Sequence, residues 1–174
     1  MKFILDKKVY KGWLNLIQKV YKTNSGKKVI REVINRNSGN NTSDSVASLI
    51  YDTNMDKYIY VKQHRFPIDR DLVECVAGIL EKGQSPTEAI EKEILEEVGY
   101  KIDSIKSLGH GYTTPGCFEE KMHLFHIEVS EKISKGGGAI DENEDIEIIE
   151  MSKEEVENFD FEDMKTRFLN TFIK

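Results

Sequence analysis

Alternating hydrophobic and polar positions divide the N-terminal part of the chain into strands. Residues 9–23 alternate imperfectly and predict one strand, and residues 27–35 predict its partner after an Asn-Ser-Gly turn. Residues 35–45 are rich in Asn and Ser and almost free of apolar side chains, which predicts a loop. Together these patterns predict an N-terminal antiparallel segment over residues 1–42.

Residues 43–174 have the pattern of a larger domain. Residues 45–51 and 57–63 predict a second pair of strands around an Asp-Thr-Asn turn. Further strands are predicted at residues 73–77, 105–112, 121–129 and 146–151. A capping box that begins at Ser152 and an amphipathic pattern over residues 161–172 predict two C-terminal helices.

One more helix is predicted in the middle of the chain, and its two ends have local signals. Ser85 suits the N-cap, Pro86 the first helical position, and Glu88 the acidic position of a capping box. Gly99 suits the left-handed position that commonly ends a helix. These signals predict a helix between Ser85 and Gly99.

This helix carries three glutamates, Glu93, Glu96 and Glu97, within little more than one turn. At about 100° per residue all three are expected on one face. Like charges at such spacings cost a few tenths of a kcal/mol per pair on an isolated helix. A bound divalent cation would offset that cost, because Mg²⁺ prefers hard oxygen ligands. The alternative is an acidic helix face that is simply exposed to solvent.

Composition and charge narrow the function classes. The chain has 174 residues and a formal net charge of −6, which argues against a nucleic-acid partner because such proteins usually carry a clustered basic face. No apolar run approaches the ~20 residues that span a membrane, and the first residues show no signal-peptide pattern. Cys75 and Cys117 have neither disulfide nor metal-ligand spacing, which is typical of a reducing compartment. We therefore expect a cytoplasmic protein that binds neither nucleic acid nor membrane.

Residues 78–100 resemble the signature of the Nudix hydrolases, which hydrolyse nucleoside diphosphates linked to another group. That signature has a glycine, five residues, a glutamate, seven residues, and then Arg-Glu-aliphatic-x-Glu-Glu-x-Gly-hydrophobic. The chain keeps this spacing from Gly78 to Tyr100. It departs at two positions, where Gln84 replaces the first glutamate and Lys92 replaces the arginine.

The resemblance implies a metal site with Mg²⁺ as the cofactor and Mn²⁺ as the alternative ion. The family's main metal ligands correspond to Glu93 and Glu97, with Glu96 in support. The backbone carbonyl of Ala77 and the side chain of Glu144 would complete the ligand set.

Other segments resemble the ADP-ribose and GDP-mannose pyrophosphatase branch of this family. Gln-His-Arg ending at Arg65 is similar to a motif whose arginine contacts the substrate diphosphate. Glu-Cys-Val-Ala-Gly beginning at Glu74 is similar to a motif whose glutamate helps to hold the nucleotide or sugar. Thr-Pro-Gly, which includes Pro115 and Gly116, resembles a Ser-Pro-Gly loop that shapes the substrate pocket.

An acidic loop over residues 136–147 begins with three glycines and resembles the loop that carries the late catalytic glutamates of this branch. A carboxylate on such a loop can act as a general base toward water. The resemblance implies Glu142 as the base and Glu144 as a metal ligand, although the two roles can be exchanged. With Glu93 and Glu97, Glu142 forms the expected catalytic set.

The resemblance also implies a fold, an assembly and a reaction. The fold is the Nudix fold, an α+β fold in which a mixed central sheet lies between helices as an α/β/α sandwich, and residues 1–42 would build a homodimer. The reaction is Mg²⁺-dependent hydrolysis of a nucleoside diphosphate sugar to a nucleoside monophosphate and a sugar phosphate. The triple glycine favours GDP-mannose slightly, with ADP-ribose second.

Two alternatives remain open from the sequence. Gln84 and Lys92 raise the hypothesis of a Nudix-fold sensor that binds a nucleotide sugar without hydrolysing it. A structural or interaction domain is the third hypothesis. Product measurements and thermal stability with Mg²⁺ and nucleotide sugars distinguish the three, because a ligand that binds only the folded state stabilises it.

Overall fold

The N-terminal residues form a sheet of three strands, not the predicted hairpin. Strands β1 (Lys2–Lys11), β2 (Asn15–Lys22) and β3 (Lys28–Asn35) pair antiparallel in the order β1-β2-β3. The prediction of one strand over residues 9–23 was wrong, because a tight turn closed by the Gly12 amide and the Leu14 carbonyl (3.1 Å) divides it. The imperfect alternation therefore came from two strands on either side of this turn.

A seven-stranded mixed sheet forms the larger part of the computed structural model, which describes residues 1–36, 39–138 and 145–173. The central path is β10-β5-β4-β9-β8, with β6 paired to β5 and β7 paired to β4. The β4–β9 pair is parallel, and the other pairs are antiparallel. The strands are β4 (Asn41–Asp52), β5 (Lys57–Arg65), β6 (Arg70–Glu74), β7 (Val76–Glu81), β8 (Tyr100–Tyr112), β9 (Lys121–Lys132) and β10 (Glu147–Met151).

The central helix has the predicted ends. Helix α1 (Pro86–Glu93) begins after Ser85, whose side chain accepts from the Glu88 amide while the Glu88 side chain accepts from the Ser85 amide. The chain continues as a π-helical turn (Ile94–Val98) that ends at Gly99 with a left-handed φ of 76°. The Gly99 amide donates to the Ile94 carbonyl over 2.9 Å, which closes the wider turn.

The two C-terminal helices are short. Helix α2 (Lys153–Asn158) has the predicted capping box at Ser152. The prediction of a helix over residues 161–172 was too long, because helix α3 (Met164–Asn170) begins only after Asp163. The Asp163 side chain accepts from the Thr166 amide and so fixes the first turn at that position.

Helices cover both faces of the large sheet. On one face Ile90 and Ile94 share a core cluster with Val46 of β4. On the other face Leu169 of α3 shares a second cluster with Leu49 of β4. This arrangement confirms the predicted α+β class with a mixed sheet between helices. Within the described part of the chain, no helix has the length and apolar character that a membrane span requires.

The small sheet is fixed to the large domain through the loop between β8 and β9. The Ile34 amide donates to the Cys117 carbonyl (2.7 Å), and the Glu119 amide donates to the Ile34 carbonyl (3.1 Å). The Asn35 side chain also donates to the Glu119 carboxylate (2.8 Å). Strand β3 therefore holds this loop directly.

Candidate active site

The three glutamates on and after helix α1 differ in their exposure. Glu97 is 3% exposed and faces the protein interior. Glu93 is half-buried at the end of α1. Glu96 is also partly buried, and its carboxylate lies 3.9 Å from the Lys92 ammonium. Glu97 is therefore the most deeply buried of the three carboxylates.

Gly78 explains where the Glu93 carboxylate lies. A Cβ atom added to Gly78 would overlap the Glu93 side chain, so this carboxylate packs directly on the backbone of strand β7. Ala77 precedes Gly78 on the same strand, which brings the Ala77 peptide group to the same place along β7. The glycine that starts the signature is therefore required because a glutamate 15 positions later occupies the space of its side chain.

The donor set suits a divalent metal ion. Two carboxylates and a backbone carbonyl are hard oxygen donors, and Mg²⁺ usually takes one or two carboxylates plus substrate phosphates. Residues 1–36, 39–138 and 145–173 contain no group of three or more His, Cys, Asp or Glu side chains close enough to enclose a metal ion by themselves. Glu93 and Glu97 match the one or two carboxylates that Mg²⁺ usually takes from a protein.

Three glycines attach the start of the acidic loop to the π-helical turn. The Gly137 amide donates to the Glu97 carbonyl (2.7 Å), and the Gly138 amide donates to the Glu96 carbonyl (3.1 Å). Gly136 has a φ of +67°, and a Cβ atom there would lie 2.6 Å from the Glu97 carbonyl oxygen. Residues 136–138 therefore lie against the backbone of the turn that carries Glu96 and Glu97.

The predicted catalytic base and the fourth carboxylate ligand, Glu142 and Glu144, lie outside the described residues. Their assignments stay predictions. The structure places the loop's first three residues against the turn that carries Glu97, and Gly137 and Gly138 hydrogen-bond to it.

Arg65 is held by a buried carboxylate. The Arg65 Nε and Nη2 atoms donate to Glu74 over 2.6 and 2.8 Å, a bidentate arrangement. The Glu74 side chain is 2% exposed, whereas the Arg65 side chain is 38% exposed. Burial acts to raise the pKa of Glu74, but the hydrogen bond from Arg65 and the charge of Lys165 outweigh it and lower that pKa.

Lys165 is a second cation on Glu74, and the sequence patterns did not indicate it. Its ammonium donates to the Glu74 carboxylate and lies 3.0 Å from Asp163. Burial acts to lower the pKa of Lys165, and the neighbouring acidic groups reverse this so that the pKa is raised. Because Lys165 and Glu74 are 91 positions apart, no local spacing could have revealed the pair.

A cavity of about 700 Å³ lies beside Arg65 and Lys165. Arg65 and Lys165 line it together with Ala77 and Gly78. The sheet contributes apolar side chains to the same cavity, and helix α3 contributes two more. Those side chains are Leu108, Met122, Leu124, Met164 and Phe168. A cavity of this size suits a small-molecule ligand.

Not every predicted substrate-binding residue reaches this cavity. Glu74 is buried behind Arg65, so it acts on a ligand through Arg65 and Lys165. Pro115 and Gly116 are exposed in the loop between β8 and β9. Their neighbours Thr113 and Thr114 line the cavity instead. A direct contact of Pro115 and Gly116 with substrate therefore stays a prediction.

The two departures from the signature both hold the loop before α1. The Gln84 side-chain oxygen accepts from the Glu81 amide over 3.1 Å. The Lys92 ammonium lies 3.2 Å from the Glu81 carboxylate and 3.9 Å from that of Glu96. Both residues therefore make structural contacts at the outer side of the acidic cluster.

Comparisons with known proteins agree with this geometry. A family model described as NUDIX domain matches residues 42–172. The chain is 33% identical over 126 residues to the ADP-ribose pyrophosphatase of Bacillus subtilis, a match that covers 70% of this chain and 68% of the relative. It is also 33% identical over 128 residues to the GDP-mannose pyrophosphatase of Pectobacterium atrosepticum, covering 70% of this chain and 63% of that relative.

The fold is also similar to that of a solved structure. The crystal structure titled ADP compounds hydrolase has a TM-score of 0.78 to this chain, with 98% of this chain and 90% of the other covered. At 16% sequence identity, this likeness concerns the fold alone, and it confirms the predicted mixed-sheet α+β architecture.

Proposed function

This chain belongs to the NUDIX family, and we propose that it hydrolyses the diphosphate of a nucleoside diphosphate sugar, releasing a nucleoside monophosphate and a sugar phosphate. The names of the two relatives, an ADP-ribose pyrophosphatase and a GDP-mannose pyrophosphatase, support this substrate class. One observation carries the proposal. The two cations Arg65 and Lys165 line the same cavity as the Ala77–Gly78 backbone on which Glu93 packs.

Arg65 and Lys165 supply the positive charge that a diphosphate requires. The guanidinium of Arg65 offers planar, paired donors that match phosphate oxygens. Glu74 occupies the Nε and one terminal nitrogen of Arg65, so the other terminal nitrogen remains for a ligand in the cavity. Glu74 thereby orients both cations before substrate arrives.

We assign Mg²⁺ to the end of the cavity formed by Ala77 and Gly78, on which Glu93 packs, with Mn²⁺ as a substitute. Glu93, Glu97 and the Ala77 carbonyl would hold it, with Glu96 and Glu144 as further ligands. When bound, such an ion neutralises phosphate charge and lowers the pKa of its water. The protein's own residues would place the carboxylates and bind the diphosphate, and Glu142 would accept the proton of the attacking water.

The sequence favours one of the two candidate substrates only slightly. The glycines at positions 136–138 favour GDP-mannose, with ADP-ribose second. Both compounds share the diphosphate that Arg65 and Lys165 would bind, so those two cations do not discriminate between them.

The N-terminal sheet supports a homodimer. All ten residues of β1 are exposed in the single chain, including Phe3, Leu5 and Tyr10. A large exposed apolar surface of this kind marks an interaction site. Analytical ultracentrifugation tests the proposal, and a monomer at micromolar concentration would contradict it.

The activity is tested with a panel of nucleotide sugars and Mg²⁺, with products separated by chromatography. We expect a nucleoside monophosphate and a sugar phosphate, and we expect Glu97→Gln to remove most turnover while the melting temperature stays close to wild type. Glu91→Gln on the exposed face of α1 is the matched control and should retain activity.

Each alternative has its own outcome in this panel. Tight binding of nucleotide sugars without turnover would indicate that the protein is a sensor and not an enzyme. A melting temperature that does not respond to Mg²⁺ and nucleotide sugars would favour an interaction domain. Near-normal activity of the Glu97→Gln variant would refute the metal assignment.

A further inference from the structure

Helix α3 exposes two large apolar side chains into the cavity. The side chains of Met164 and Phe168 are one helical turn apart, and the residues are 77% and 51% exposed. Both line the cavity that also contains Arg65 and Lys165. Single exposed hydrophobic residues are ordinary on protein surfaces. Two such residues, one turn apart on one helix and lining a cavity with the cations Arg65 and Lys165, form an apolar wall.

The orientation of this wall is fixed by the buried side of the same helix. Thr166 and Leu169 are completely buried. The Thr166 hydroxyl donates to Asp163 (2.6 Å) and accepts from the Cys75 amide of the loop between β6 and β7 (2.8 Å). Because these contacts hold the helix to the sheet, Met164 and Phe168 cannot turn into the core.

The sheet provides further apolar side chains to the same cavity. Leu108 of β8 and Leu124 of β9 line it together with Met122. The cavity therefore combines cationic groups with apolar surface from two sides. A ligand that matches both parts has an anionic portion and a ring with a flat apolar face. Aromatic side chains stack on such faces, and the flexible methionine side chain adapts to their shape.

We propose that Met164 and Phe168 bind the ring face of the group attached to the diphosphate and so determine which nucleotide sugar is cleaved. This inference rests on the proposed function and adds its specificity element. A nucleobase and the C–H face of a sugar ring share the required chemistry. Two series of substrates separate them.

The experiment measures kcat/KM of the full-length protein for both series. In the first, the base varies at constant sugar, with ADP-, GDP-, UDP- and CDP-glucose. In the second, the sugar varies at constant base, with GDP-mannose, GDP-glucose and GDP-fucose. The variants are Met164→Ala, Phe168→Ala and the double variant, with Phe168→Trp to restore a stacking surface. Met55→Ala and Phe159→Ala are controls, since both residues are exposed and neither lines the cavity.

We expect the double variant to lose roughly 10-fold or more in kcat/KM for the best substrate, because stacking on one aromatic side chain is worth about 5- to 150-fold in affinity. The loss should appear mainly in KM. Poor substrates should change by less than about twofold, so the selectivity ratio falls in one series. Phe168→Trp should retain the ratio, and the two controls should match wild type.

Equal losses for all substrates in both series, or no loss for any, would overturn the proposal. Isothermal titration calorimetry with the same compounds measures their binding affinities without requiring turnover. Selective binding without hydrolysis would refute the proposed enzyme function alone. Unchanged binding selectivity in the double variant would refute only the proposed role of Met164 and Phe168 in specificity. Since both side chains are exposed, circular dichroism should show all variants folded.

Discussion

Glu74 is the residue whose loss we expect to cost the most stability in this site. It is a buried carboxylate that holds two cations from distant parts of the chain, Arg65 in a bidentate pair and Lys165 from helix α3. Replacing Glu74 by glutamine keeps the shape and one acceptor but removes the negative charge. Arg65 and Lys165 are then left close together without a charged partner.

The size of the effect follows from burial. Removing one partner of a buried ion pair typically costs ~3–5 kcal/mol. The Lys165 side chain is only 14% exposed, so water cannot replace the lost carboxylate there. Arg65 is more exposed and glutamine retains a hydrogen-bond acceptor, which places the expected loss near the lower limit, about 3 kcal/mol. In a domain of this length that corresponds to a fall in melting temperature of about 6–12 °C.

Urea denaturation and thermal melting of the Glu74→Gln variant measure this loss. Glu162→Gln is the matched control, because Glu162 also forms a bidentate pair with an arginine, the two terminal nitrogens of Arg70, but both side chains are about half exposed. Exposed pairs contribute ~0–1 kcal/mol. Equal stability losses in the two variants would refute the argument from burial. The Glu74→Gln variant should also show a raised KM for nucleotide sugars, since Arg65 is no longer oriented.

Three further predictions concern acid stability and two glycines. Folding lowers the pKa of Glu74 from its ordinary value of 4.5. The ionised carboxylate therefore stabilises the fold fully above about pH 4.5, and this stabilisation is lost as the pH falls through the folded pKa. Urea denaturation from pH 7 to 3 should accordingly show a smaller fall in the free energy of unfolding for Glu74→Gln than for wild type. In Gly78→Ala the new methyl group displaces the Glu93 carboxylate, and kcat should fall by about 100-fold with little change in melting temperature; retained activity would contradict a metal role for Glu93. Gly136→Ala meets a backbone carbonyl at 2.6 Å in a left-handed conformation and should cost ~1–3 kcal/mol in thermal melts, whereas Gly116→Ala, with open space around it, should be close to neutral.

Features that depend on local spacing could be predicted from the sequence. Ser85, Glu88 and Gly99 lie within one helix length, and their capping contacts are made between residues three positions apart or by a single backbone conformation. The glutamate cluster was also visible, since residue type and spacing suffice to identify it. These signals correctly predicted where the helix begins and ends.

Features that depend on tertiary pairing could not be predicted in the same way. A regular helical wheel places all three glutamates on one face, but in the structure Glu97 is 3% exposed whereas Glu96 is only partly buried, beside Lys92. The contact between Lys165 and Glu74 joins α3 to β6, and only the folded sheet brings them together. The turn at Gly12 was missed because alternation continues approximately on both sides of it.

The structure also gives a physical reason why the two departures from the signature are compatible with an active enzyme. Lys92 and Gln84 both contact Glu81, on the outer side of the loop before α1. Glu93 and Glu97 are positioned by other contacts, since Glu93 packs on the Gly78 backbone and the π-helical turn that carries Glu97 is bonded to the glycine loop. Lysine supplies only a point charge where arginine supplies a fork, so its replacement loosens the outer loop while the inner ligands keep their supports.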